Sequence, residues 1–168
     1  MPENELQATL QHCSLHSVLM LTSKVLTRSG YGDVQILDRR QGHQKTRFGG
    51  YELLCETTVG TVPMRIAVKV ILDDIRVRMV DELAGAVLRT NANHGLIVSP
   101  FRVTRTARKH LESYCNVRID VIDGGVFAAL LSKYQIGVRS RGGVDYTFFA
   151  ELEDVSERLL AFIRENRT

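Results

Sequence analysis

Residues 49–70 constrain the fold more than any other part of the chain, because they read as two extended arms folded back on each other. Gly49-Gly50-Tyr51-Glu52-Leu53-Leu54-Cys55-Glu56 is one arm. Pro63-Met64-Arg65-Ile66-Ala67-Val68-Lys69-Val70 is the other, with Gly60 and Pro63 marking the connection. Side chains alternate across a strand with period two. Tyr51, Leu53 and Cys55 therefore share one side of the first arm, and Glu52, Leu54 and Glu56 the other. On the second arm Arg65, Ala67 and Lys69 share a face, opposite Met64, Ile66, Val68 and Val70. The apolar face needs a helical layer to cover it.

The rest of the chain supplies helices. Leu15, Val18, Leu19, Leu21, Val25 and Leu26 recur near the helical period, predicting one helix over residues 10–29 that ends at Ser29-Gly30-Tyr31-Gly32. Val34 to Leu37 begins a strand, and Gln41 to Lys45 is a polar loop. Val77, Val80, Leu83, Ala84, Val87 and Leu88 predict a helix over about residues 76–91, closed by His94-Gly95. Leu96-Ile97-Val98 is short and wholly apolar, as a strand covered on both faces should be. Thr104 caps a helix running toward Tyr114, residues 117–122 form a strand, and Asp123-Gly124-Gly125 turns into a helix over 126–134. This alternation predicts an α/β fold with a mixed sheet flanked by helices. Beyond it, Arg141-Gly142-Gly143 reads as a link, Tyr146-Thr147-Phe148-Phe149 as an edge strand, and residues 151–166 as a terminal helix with Val155, Leu159, Leu160 and Ile163 inward.

A chain of 168 residues, 44% hydrophobic, is long enough for one domain with a sizeable core. No segment approaches the roughly 18 uninterrupted apolar residues of a membrane span. The acidic, polar start Met1-Pro2-Glu3-Asn4-Glu5 does not read as a secretory signal. Cys13, Cys55 and Cys115 are widely spaced and form no zinc pattern, so free thiols in the cytoplasm or another reducing intracellular compartment are expected. The net charge of +3 is small, but its distribution is uneven. Arg39, Arg40, His43, Lys45 and Arg47 form one cluster, Arg102, Arg105, Arg108, Lys109 and His110 a second, and Arg139 with Arg141 a third. Such clusters suit solvated surface or phosphate.

Glu52 and Lys69 carry the candidate chemistry. A carboxylate on one strand holds a hard cation, and a lysine on its neighbour steadies charge on an attacked phosphate or orients a water. Ala67 stands two residues before Lys69, where such a site wants a second carboxylate or amide, so only its backbone carbonyl is available to a metal. Glu52 and Ala67 become neighbours if the turn is longer than Gly60 suggests or if the arms splay. Glu56 lies about 13 Å farther along its strand. Asp73 and Asp74 are expected to cap or solvate the next helix. The histidines do not fall at metal-ligand spacings. Ser99-Pro100 lacks a glycine elbow and Gly124-Gly125 lacks a dinucleotide fingerprint.

Taken in order, these segments resemble the Mrr-type restriction endonucleases, within the broader restriction-endonuclease-like (PD-(D/E)xK) nucleases, over roughly residues 16–139. Gly49-Gly50-Tyr51-Glu52-Leu53-Leu54 resembles the glycine-rich approach to the family's metal-binding aspartate. Ala67-Val68-Lys69 resembles its segment of glutamine or glutamate, any residue, lysine. Residues 80–86 resemble its next helix. Gly95 to Ser99 with Phe101 and residues 104–107 resemble the following strand and helix, and residues 121–125 with Leu130-Leu131 the closing pair. The resemblance implies a domain over residues 10–139, with a C-terminal helical extension over 140–168. It further implies a DNA partner, Mg²⁺, phosphodiester hydrolysis by Glu52 and Lys69, and phosphate contacts from Arg47, Arg105, Arg108 and Lys109. Glu52 in place of aspartate and Ala67 in place of the amide or acid leave an alternative expectation, an inactive nuclease-fold module for DNA binding or assembly. RNA stays open as a ligand. A homodimer is expected because duplex cleavage usually requires two sites.

Overall fold

A computed structural model describes residues 2–32, 34–36, 51–113 and 116–165; the side chain of Glu52 falls outside this set. The elements run α1 (Pro2–Gln11), α2 (Leu15–Arg28), β1 (Val34–Ile36), β2 (Tyr51–Val59), β3 (Val62–Val70), α3 (Val77–Arg89), β4 (His94–Val98), α4 (Arg105–Ser113), β5 (Arg118–Ile122), α5 (Gly124–Lys133) and α6 (Tyr146–Glu165). The polar loop at 41–45, Arg47, Tyr114 and Cys115 lie outside the described residues.

Among the described residues the strands form one sheet in the order β1-β2-β3-β4-β5. β1, β2 and β3 pair antiparallel, whereas β3, β4 and β5 pair parallel. Parallel neighbours need crossover connections, and α3 and α4 provide them. The expected mixed sheet flanked by helices is what the chain forms.

Two apolar layers follow from the strand alternation. Leu53, Cys55, Ile66, Val68 and Val70 pack beneath α1, α2, α5 and α6, whose buried residues include Leu10, Val18, Leu21, Phe127, Leu131 and Leu152. Ala67 and Ile97 face the other way and pack with Met79, Val80, Leu83 and Val87 of α3. Burial pushes the Cys13 thiol up to about 12, with Glu153 adding to the effect, and the Cys55 thiol up to about 11. Both are packing residues with little thiolate character.

Four expectations are corrected. Residues 10–29 are not one helix. Ser14 breaks the segment in an extended conformation, and its Oγ accepts from Ser17 N at 3.2 Å as the N-cap of α2. Pro63 lies within β3, opposite Thr58, and the turn is at Gly60 and Thr61. His94-Gly95 does not close a helix but opens β4. The helix already ends at Arg89, followed by Asn91 in the left-handed region at φ 50°. Gly95 instead lets α3 approach, because a Cβ there would meet Leu83 Cδ2 at 2.8 Å. Finally, Tyr146 to Phe149 is the first turn of α6. Asp145 Oδ1 accepts from Phe148 N at 3.2 Å, and this cap with the burial of Phe149 overrides the strand preference of the aromatic residues. That segment therefore offers no sheet edge to a second copy.

The loops after β4 and β5 meet at Gly124. Its N–H donates to Phe101 O at 2.9 Å, and a Cβ at this position would lie 2.0 Å from Pro100 O. Backbone oxygen cannot step aside as a flexible side chain does. Gly124→Ala is expected to destabilise the protein by about 1–3 kcal/mol, read as a lower urea midpoint with an unchanged slope.

Candidate active site

The hairpin register sets Glu52 directly opposite Lys69, and Leu54 opposite Ala67. Glu52 is at the start of β2, and Lys69 is near the end of β3. Both therefore lie at the end of the sheet where the parallel strands finish and α3 and α4 begin. Ligands of open α/β sheets bind at this end. Glu52 and Ala67 are diagonal neighbours, about 7–8 Å apart between Cα atoms, without any splaying of the arms. Glu56 is engaged elsewhere: its Oε1 accepts from Arg65 Nε at 2.8 Å.

Lys69 is 1% exposed. Its Nζ lies 2.9 Å from Oε2 of Glu82, a residue in the second turn of α3 that sequence pattern alone marks only as helical. Beyond this carboxylate, Nζ has no further acceptor among the described residues. The contact is thus an ion pair with unfilled donor capacity. Oε1 of Glu82 accepts from Arg78 Nε, also at 2.9 Å. Burial works against ionisation of Glu82, but the close approach and positive charge of Lys69 and Arg78 outweigh it and hold its carboxyl below the ordinary 4.5.

Packing explains how a helix residue reaches a strand lysine. Ala67 pairs with Gly95 across β3 and β4, and Leu83 is seated over the glycine. This strip of small residues brings α3 close to the sheet and carries Glu82 to Lys69. Ala67 is consequently 2% exposed, covered by the apolar residues of α3. No single-sequence signal marks Glu82, because Arg78 and Glu82 read as an ordinary surface pair at i,i+4.

The adjoining surface is basic. Ile75 N donates to Arg102 O at 2.8 Å and Thr104 N to Ile75 O at 3.0 Å, which fixes the starts of α3 and α4 side by side. Thr104 Oγ1 caps α4, accepting from Ala107 N at 3.3 Å, as expected. Arg105, Arg108 and Lys109 are exposed on α4, whose first turn has no acid. Arg102 pairs with Asp74 at 3.0 Å and Arg76 with Asp73 at 3.6 Å, so the two aspartates neutralise flanking arginines. His110 Nε2 lies 2.7 Å from Asp81 Oδ1, joining α4 to α3. Arg47 lies outside the described residues.

As a cation site, the candidate donors are oxygen alone: the Glu82 carboxylate beside the Lys69 ammonium, and position 52, whose backbone stands opposite Lys69 in the register. Among the described residues no three Asp, Glu, His or Cys side chains converge. Mg²⁺ commonly takes one or two carboxylates and completes its shell with water and substrate phosphate, so this sparse set fits such an ion.

The mixed sheet with its flanking helices has a restriction-endonuclease-type fold. A family model described as restriction endonuclease, of the Mrr catalytic type, matches residues 10–131, and the chain belongs to that family. Among solved structures, the DNA modification-dependent restriction endonuclease AspBHI is similar with a TM-score of 0.61 at 15% identity, over 94% of this chain and 40% of its own. The MspJI restriction endonuclease, solved in complex with a 27-mer oligonucleotide, is similar with a TM-score of 0.51 at 17% identity, over 83% of this chain and 32% of its own. The chain thus spans less than half the length of either. No curated protein matches. Among the described residues no helix is long and apolar enough to cross a membrane.

Removing one partner of a buried ion pair leaves the other uncompensated. Glu82→Gln strands the fully buried ammonium, whereas Lys69→Met leaves a partly exposed carboxylate that keeps Arg78. Glu82→Gln is expected to cost about 3 kcal/mol, and Lys69→Met clearly less, by urea denaturation. A carboxyl whose folded pKa is depressed contributes stability that is full above its unfolded pKa. That contribution is lost as pH falls through the folded value. The wild type is therefore expected to lose stability below pH 4.5 more steeply than Glu82→Gln, measured as melting temperature against pH.

Proposed function

We propose that the chain is a DNA-binding, metal-dependent endonuclease domain that hydrolyses phosphodiester bonds. The observation that carries this reading is the Glu52–Lys69 register at the ligand-binding end of the sheet, in a chain of the restriction endonuclease family. Glu52 holds a divalent cation, of which Mg²⁺ is the expected one. A cation held there would supply Lewis-acid polarisation of the phosphodiester and a lowered pKa for a bound water. Lys69 presents an ammonium with unfilled donors to the developing charge on the phosphate or to the attacking water. Arg105, Arg108 and Lys109 hold backbone phosphates and set the register of the duplex without reading its sequence.

A second reading is a binding module without cleavage. Two observations favour it: Ala67 is packed beneath α3 where a second ligand would stand, and Lys69 is buried against Glu82. The readings separate in one assay. With Mg²⁺ or Mn²⁺ the purified protein is expected to nick or cut DNA, and Glu52→Ala and Lys69→Ala are each expected to abolish cleavage. Binding without cleavage selects the second reading, and cleavage unchanged in both variants rules out Glu52 and Lys69 as the site.

DNA affinity is expected to fall with salt as neutralised phosphates release counterions. In fluorescence anisotropy, Arg105→Ala with Arg108→Ala is expected to weaken binding equally across sequences. It should also lower the slope of log K against log salt by about 0.9 for each phosphate no longer neutralised. An unchanged slope removes α4 from the interface.

A further inference from the structure

We infer that Glu82 is the second carboxylate of the site, doing from helix α3 what strand position 67 cannot do, and that it takes part in holding the divalent cation. The inference rests on the site reading above and adds a residue to it. Position 67 carries a methyl group buried under α3, and its main chain lies within the sheet between β2 and β4. Its carbonyl is consequently directed along the ladder rather than out of the face. The negative charge near Lys69 comes instead from above the sheet. Oε2 of Glu82 is 2.9 Å from a lysine nitrogen that is itself almost wholly buried and has donors unfilled among the described residues.

The carboxylate has capacity left for a cation. Each oxygen carries two acceptor directions, and Lys69 and Arg78 each approach one oxygen. Arg78 is 58% exposed, so its hold on Oε1 is a surface contact of low worth that gives way easily. Glu82 is 27% exposed, which leaves a path to solvent and ligand. The same packing that excludes a ligand at 67 thus delivers one at 82: the Ala67–Gly95 strip seats α3 close enough for its second-turn glutamate to reach the lysine.

Mn²⁺ binding, followed by electron paramagnetic resonance without DNA, tests this directly. The wild type is expected to bind Mn²⁺, Glu82→Gln to bind it at least about tenfold more weakly, and Glu82→Asp to recover part of the loss. A wild type that binds no Mn²⁺, or a Glu82→Gln variant that binds it as tightly as the wild type, overturns the inference and leaves a structural ion pair. Loss of the fold in Glu82→Gln, checked by circular dichroism, moves the decision to the wild type. There, substoichiometric Mn²⁺ is expected to broaden the amide signals of residues 80–84 in the ¹⁵N spectrum, and their sharpness overturns the proposal. Cleavage assays run alongside keep the two readings apart. Glu82-dependent Mn²⁺ binding without any DNA cleavage sustains the inference and removes the nuclease function. Full cleavage by a folded Glu82→Gln variant does the reverse.

Discussion

The Lys69 ammonium has to be neutralised where it is, and much of the structure is arranged around that requirement. A charge taken out of water costs several kcal/mol unless an opposite charge accompanies it. The partner comes from α3, and α3 can supply it only by lying close to the sheet. Closeness in turn requires small residues beneath the helix, which Ala67 and Gly95 provide on adjacent strands. The feature that looks like a defect in the strand motif is thus part of the geometry that brings Glu82 to the lysine.

Among the described residues two helices lie on one face of the sheet and four on the other, and this division of labour positions the site. The face beneath α1, α2, α5 and α6 is continuous apolar packing. It includes a buried hydroxyl pair, Ser17 Oγ to Ser156 Oγ at 2.8 Å, that joins α2 to α6. The α3–α4 face carries the charged groups at its rim. α3 and α4 both begin where the parallel strands end, so their starts, the lysine and the first residues of β2 converge on one edge.

The parts of the fold legible in the sequence were those where local pattern and tertiary packing agree. The helical period around Val80, Leu83 and Val87, the Thr104 cap and the apolar strand at 96–98 read directly, because each residue does locally what the whole fold needs. That Glu52 and Lys69 stand on neighbouring strands was legible from the strand pattern, whereas the register that sets them opposite each other, and Ala67 diagonal to Glu52, was not fixed by it. Misreadings arose where a distant contact decides. Gly95 looks like a helix stop until Leu83 is seen above it. Tyr146 to Phe149 looks like a strand until Asp145 caps it as a helix. Glu82 was illegible because its i,i+4 arginine gives it an ordinary local role, and only the tertiary approach of α3 discloses the lysine beneath.

The parallel bridge between Ile75 and Val103 zips the two loops that launch α3 and α4. Thr104 reinforces it, donating twice to Ile75 O through its backbone and its hydroxyl. Arg76, Arg102 and Arg105 consequently branch from one braced backbone instead of from two independent loops. Long side chains on mobile loops lose much freedom when they meet a ligand, and that loss subtracts from affinity. Here the main chain beneath them is already ordered by the bridge and the two Thr104 bonds, so that loss is confined to the side chains.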